Sequence, residues 1–219
     1  ILNERDRRAK ARLSLPLCKQ KTVPLLSRTA DAYLTNRGHF RKICLRFDIE
    51  RIRMDIYVRD GSIIVSGVSC FDLARSCDCG QAFRWKNTGN GRFGVAGGRG
   101  ATVRQTGETL IITPGKDKDV GFWLNYFDLY RNYQAIEDEV RCDATLGKCL
   151  DYASGIHIFN QDPFETLISF IISANNNIKR ITGIVDRLCI LAGEKHEGTT
   201  EYYSFPAPEA IAELTVEQL

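Results

Sequence analysis

No run of apolar residues in this 219-residue chain approaches the roughly 20 that a membrane-spanning helix needs. No charged stretch followed by an apolar stretch and a small-residue site marks a secretory leader. Histidine is scarce, with three residues, and the eight cysteines form no Cys-x-x-Cys pair and have no histidine partner at zinc spacing. Cys77-Asp78-Cys79 is too tight to make a site alone. Reduced, buried thiols are therefore expected, with no metal and no cofactor. A cysteine-based metal or redox protein has nothing but the cysteine count behind it.

Basic surplus is also missing from most of the chain. The net charge of +3 hides 14 Lys+Arg against 5 Asp+Glu in residues 1–53, a balance of +9. Residues 54–219 hold 16 basic and 22 acidic groups, a balance of −6. A basic patch is the usual footprint of nucleic-acid binding. Any such binding by the larger part must come from a local cluster.

Residues 1–53 carry a charge run, "NERDRRAKAR", and then two prolines with no sustained period. The single methionine, Met54, stands where patterning begins. The first segment reads as an extension translated from upstream of the start. A targeting peptide is disfavoured by acidic residues 4, 6, 31, 48 and 50, and a functional basic arm is the third reading. From Met54, "DIYVRDGSIIVSG" alternates around Asp60-Gly61, a turn between two short strands. "CFDLARSCDCGQ" predicts a short helix ending near Gly80. "AFRWK", "RFGVAG", "ATVRQTG" and "TLIITP" predict strands separated by Gly/Asn turns, an antiparallel meander.

After Pro114-Gly115 helical patterns take over. "DPFETLISFII" has Asp162 as N-cap, Pro163 at the first helical position and Glu165 three residues past the cap. Phe164, Leu167, Ile168 and Ile171 recur at helical spacing, predicting one buried stripe. A second helix starts near Asn177, with Ile178, Ile181, Ile184, Val185, Leu188 and Cys189 on one face. "YYSFPAPEAIAEL" gives a loop and a third helix. "TVEQL" has a capping-box pattern, read as a helix beginning where a truncated domain stops. Residues 54–154 and 155–219 are thus expected as two units.

The joint between the two main helices is "SANNNIKRIT", Ser173 to Thr182. Asparagines cap helices and tolerate left-handed backbone. Lys179 and Arg180 in the first turn oppose the helix dipole, at roughly 0.3–1 kcal/mol each. The cluster makes sense with an arriving anion or nucleic acid, because helix-start N–H groups bind phosphate and Asn or Arg side chains read base edges. A purely structural joint stays open. "CGQAFRW" is similarly divided between a core strand after a glycine turn, with Phe83 and Trp85 on one face and Arg84 on the other, and a pocket lined by Gly80, Gln81 and Phe83. His157 reads as a loop or packing residue.

Both stretches, with "FWLNYFDLYRNY" and "QDPFETLISFIISANNNIKRITGIVDRLC", resemble the 8-oxoguanine DNA glycosylases of the helix-hairpin-helix class, from about Ser69 to Leu219. The Gly-Gln-x-Phe-Arg-Trp segment argues against an alkylation-repair glycosylase. The resemblance implies an α+β fold: an antiparallel sheet domain similar to the TATA-binding-protein fold, then the first helices of an all-α glycosylase domain. It implies DNA base-excision repair, in which duplex DNA is bound by a monomer and the damaged base is flipped into a pocket. Gly80 matches the glycine whose carbonyl accepts the N–H that distinguishes 8-oxoguanine from guanine. Gln81 and Phe83 match positions near the pocket. Asn175 matches the residue filling the vacated base stack, and Arg180 the one that bonds the orphaned cytosine; Asn176, Asn177 and Lys179 extend this DNA-binding edge. The family's lysine nucleophile, which forms a Schiff base, and its partner aspartate would lie beyond Leu219. Lys195 is a loop lysine and no substitute. The chain alone is thus expected to be inactive as glycosylase and lyase. It is expected in the nucleus of a eukaryote or at the nucleoid in bacterial cytoplasm. A non-catalytic nucleic-acid-binding module relying on the basic arm is the alternative.

Overall fold

The computed structural model describes residues 31–36, 41–46, 54–197 and 201–218. Two strands, β1 (Asp31–Asn36) and β2 (Arg41–Arg46), pair antiparallel inside the segment whose sequence showed no sustained period. The rest of the expected 1–53 extension lies outside the described residues.

A six-stranded antiparallel sheet comprises β3 (Asp55–Arg59), β4 (Ser62–Ser66), β5 (Trp85–Asn87), β6 (Arg92–Ala96), β7 (Arg99–Thr106) and β8 (Thr109–Thr113). Its order is β3-β4-β8-β7-β6-β5. Strands β5 to β8 form the expected meander, and the β3-β4 hairpin joins its far edge through β4 against β8. Asp60 and Gly61, at φ 49 and 69, make the predicted turn, in the left-handed geometry that tight hairpins demand. Alternation then buries Ile63 and Val65 of β4, Leu110 and Ile112 of β8, and Ala101 and Val103 of β7.

Among the described residues seven α-helices follow or interrupt the sheet: α1 (Leu73–Asp78), α2 (Val120–Tyr126), α3 (Tyr133–Arg141), α4 (Leu146–Ala153), α5 (Pro163–Ser173), α6 (Ile178–Ala192) and α7 (Pro208–Ala212). Short strands β9 (Lys195–His196) and β10 (Tyr202–Tyr203) pair with each other. The main core gathers the inward sheet residues around Trp123, Leu124 and Phe127 at the end of α2. Each such aliphatic or aromatic side chain contributes about 1.5–3 kcal/mol by leaving water. Trp85 joins this core, its Nε1 donating to the Tyr126 hydroxyl at 2.9 Å. Gly94 opposite it is fixed by space, since a Cβ there would lie 2.3 Å from the Trp85 ring.

A second, smaller cluster holds Ile181, Val185 and Cys189 of α6, packed with Phe83, Ile172, Tyr203 and Phe205. Here two sequence expectations need correction. The stripe Phe164/Leu167/Ile168/Ile171 is not buried: Leu167 is 54% and Ile171 59% exposed, beside Phe170 at 74%. The row of α5 that packs is Glu165, Ser169 and Ile172, because Arg84 supplies Glu165 with an ionic partner that no apolar pattern reveals. On α6, Ile181, Val185, Leu188 and Cys189 are buried as expected, but Ile178 is exposed. The "TVEQL" box is a turn among the described residues, with the Thr215 N–H donating to Gln218 Oε1 at 2.8 Å.

Candidate functional site

The Gly80 turn is built by a helix too short to stand alone. Helix α1 is capped by Asp72, whose carboxylate accepts the Arg75 N–H, and it closes at Cys79. Gly80 then takes φ +87, a conformation that side-chain-bearing residues rarely adopt. A Cβ placed on Gly80 would lie 3.8 Å from Ile178 Cδ1. The glycine turn and the head of α6, about a hundred residues apart in sequence, are thus in contact range. Among the described residues no donor occupies the Gly80 carbonyl.

Gln81 fastens this turn. Its Nε2 donates to the carbonyls of Ser76 at 2.8 Å and His157 at 2.7 Å. Its Oε1 accepts the Phe159 N–H at 2.9 Å, and its own carbonyl accepts Gln161 Nε2 at 2.7 Å. The side-chain amide is fully occupied by backbone, so Gln81 shapes the turn rather than presenting free groups. Phe83 points into the second cluster against α6.

Arg84, expected on the face opposite Phe83 and Trp85, is buried too, at 8% exposure. Its guanidinium donates to the Tyr203 carbonyl and lies 3.7 Å from the Glu165 carboxylate. Burial pushes the Glu165 carboxyl up to about 7, against the pull of Arg84. Sequence reasoning missed this pair. Its signal was an arginine flanked by Phe83 and Trp85, and a glutamate at the third helical position where a cap partner was expected. Asp162 does cap α5, accepting from Phe164 and Glu165 N–H at 2.9 Å each.

The three asparagines divide their work. Asn176 Nδ2 donates to the Ile172 carbonyl at 2.7 Å, closing α5. Asn177 Oδ1 accepts the Arg180 N–H at 3.0 Å, opening α6. Asn175 sits between them at φ +58, exposed, and its side chain bonds no described residue. Lys179 and Arg180 are exposed beside it, with no ion pair among the described residues. The geometry therefore sets the Gly80 turn against Ile178, in the joint that also carries the exposed Asn175 and Arg180, and assigns Gln81 to shaping the turn and Asn176 and Asn177 to shaping the joint.

Lys195 lies in β9 with its Nζ 3.0 Å from Glu201, a partner that holds its ammonium above the usual lysine range. An amine so held is a poor nucleophile. His157 is buried at 2% and stacks on Tyr133 with centroids 3.6 Å apart. Among the described residues no group of three His, Cys, Asp or Glu side chains is placed to hold a metal ion.

Residues 63–167 match the 8-oxoguanine DNA glycosylase N-terminal domain. The N-glycosylase/DNA lyase of Saccharomyces cerevisiae is 46% identical over 97 residues, 43% of this chain and 26% of that protein. N-glycosylase/DNA lyase OGG1 of Arabidopsis thaliana is 29% identical over 151 residues, 64% of this chain and 40% of that protein. The Clostridium acetobutylicum 8-oxoguanine glycosylase/lyase, solved with double-stranded DNA containing cytosine opposite the lesion, superimposes with a TM-score of 0.71 at 37% identity. That match covers 75% of this chain and 57% of the bacterial enzyme, so the chain spans between about a quarter and three fifths of these relatives' lengths. Residues 63–167 thus belong to the 8-oxoguanine DNA glycosylase family as its N-terminal domain, and the chain resembles these glycosylases over 75% of its length.

Proposed function

We propose that this chain is the lesion-recognising portion of a base-excision-repair glycosylase/lyase, a monomer that binds duplex DNA containing oxidised guanine. The contact between the Gly80 turn and the head of α6 carries this reading. It joins the glycine turn, whose carbonyl has no donor among the described residues, to the helix joint that carries the exposed Asn175 and Arg180. A carbonyl accepts the N–H of 8-oxoguanine and has nothing to accept from guanine, whose nitrogen there is itself an acceptor. Discrimination through one unmatched buried polar pair is worth about 1–3 kcal/mol. Asn175, whose side chain bonds no described residue, suits the space left by an extruded base, and Arg180 suits the edge of the remaining cytosine. Residues 54–154 would supply the recognition turn and residues 155–219 the inserting edge.

Excision by this family's chemistry needs a lysine that attacks the sugar and an aspartate that stabilises the developing charge. The resemblance matches neither of these two residues to any position of this chain, and Lys195, a candidate by type alone, is bound to Glu201. The 219-residue chain alone is therefore catalytically incomplete. Borohydride trapping on a duplex carrying 8-oxoguanine should yield no covalent adduct; an adduct with this chain refutes the assignment. The protein would act where genomic DNA is kept, the nucleus or the nucleoid.

The +9 balance of residues 1–53 favours a second reading, a DNA-binding module that relies on its basic arm. Removing residues 1–53 separates the two. Lesion preference that survives the deletion and fails in Asn175 and Arg180 variants supports the first. Binding and steep salt dependence that vanish with the arm support the second.

A further inference from the structure

His157 lies where the segment entering α5 passes beneath the turn before α1. Its ring stacks on Tyr133, nearly parallel at 11°, and meets Phe71 edge-on at 4.7 Å. Both ring nitrogens face backbone carbonyl oxygens: Nδ1 is 3.0 Å from that of Phe127, and Nε2 is 2.9 Å from that of Cys70. A neutral imidazole has one N–H to give; a protonated one has two. Both carbonyls are served at once only by the charged ring. The backbone of the same residue is equally committed. Its N–H donates to Ser76 Oγ at 3.1 Å, and its carbonyl receives Gln81 Nε2. His157 thus links the turn before α1, the end of α2 and the Gly80-Gln81 turn.

We propose that His157 is a positioning residue for the Gly80 turn and that protonation sets its grip: the charged ring holds both carbonyls, and the neutral ring keeps Phe127 and releases Cys70. The functional consequence rests on the reading of Gly80 as the lesion contact; the proton chemistry does not. Burial decides which carbonyl is released. The Phe127 contact is fully enclosed, where an unmet carbonyl is costly. The Cys70 contact is half-buried, and Cys70 itself sits at φ +51. Beside it a cavity of about 20 Å³, lined by Ser69, Tyr133 and His157 among others, has room for one water to take the freed carbonyl.

The groups facing the ring come from three elements. Burial is the strongest influence and holds the imidazole below its ordinary range, against the Phe127 and Cys70 carbonyls and then Asp128, after α2, and Glu137, on α3, which favour the cation. Arg131 is tied to Asp128 at 2.5 Å. The Tyr133 hydroxyl donates to Asp128, and the Cys70 thiol donates to Gln134, so neither competes for the ring nitrogens.

Nitrogen-15 NMR of the whole chain, labelled at histidine and followed from about pH 5 to about pH 8, tests this. His157→Gln identifies the signals. The expected ring is doubly protonated at the acid end and, when neutral, carries its proton on Nδ1, the reverse of free histidine's preference. The Phe71 amide should shift with the same midpoint. A ring that holds one state throughout, or places its neutral proton on Nε2, overturns the proposal. A binding arm compares 8-oxoguanine and guanine duplexes. Preference should change several-fold through that midpoint in the natural chain and stay constant in His157→Arg, a permanent donor pair. A preference in the natural chain that ignores the midpoint overturns the positioning role. Lesion-blind binding at every pH with the NMR behaviour intact refutes the Gly80 reading instead.

Discussion

Glu165 allows the balance between burial and ion pairing to be measured. Its carboxyl is raised from 4.5 to about 7, first by burial, with Arg84 pulling the other way. The folded chain therefore binds this proton more tightly than the unfolded chain does. Between about pH 4.5 and 7 the folded state carries more protons, so stability falls as pH rises through that window. The full effect corresponds to about 3 kcal/mol. Glu165→Gln keeps the shape and fixes the neutral form. Urea unfolding of both proteins, from about pH 4 to about pH 8, gives the difference in stability free of every other titrating group. That difference should move by up to about 3 kcal/mol in favour of the variant as pH rises, then level off. Parallel curves refute the reasoning. A difference moving the other way would mean that the Arg84 pair outweighs burial.

Three further variants test the same geometry. Asn177→Ala removes the cap of α6 and should cost about 1 kcal/mol in denaturant unfolding. Asn175→Gly should leave stability within about 0.5 kcal/mol, because the φ +58 backbone suits glycine and no described group bonds the side chain. The same variant should weaken binding to an 8-oxoguanine duplex at least about tenfold in a fluorescence titration, a loss of about 1.4 kcal/mol. Gln81→Leu strips three side-chain hydrogen bonds and should cost about 3 kcal/mol or more, read as a lower unfolding midpoint.

Local chemistry was legible where it is self-contained. The Asp60-Gly61 turn, the Asp162 cap with Pro163, and the Asn177 start of α6 each depend on a few neighbouring residues, and each was readable. What failed depends on distant partners. Arg84 looked like the outward side of a strand because its ion-pair partner, Glu165, lies 81 positions on. The same invisible pair turned α5, so the dense aliphatic row Leu167/Ile171 faces outward. The β1-β2 pair was hidden by a segment with no sustained period. Gln81 was placed near a pocket by resemblance, yet its role as a backbone fastener appears only in three dimensions. The asparagine joint was legible as unusual, but its division into two caps and one free residue was not.

The fastening of Gln81 also has a consequence for folding order. Its bonds to residues 157, 159 and 161 close loops of 76 to 80 residues. Contacts this distant in sequence form slowly, because the chain must surrender loop entropy before any bond repays it. The sheet hairpins and the capped helices can be in place long before Gln81 finds its carbonyls. Correct presentation of the Gly80 carbonyl thus comes last. On the proposed reading of Gly80 as the lesion contact, a nascent or partly unfolded chain would not tell one guanine from another.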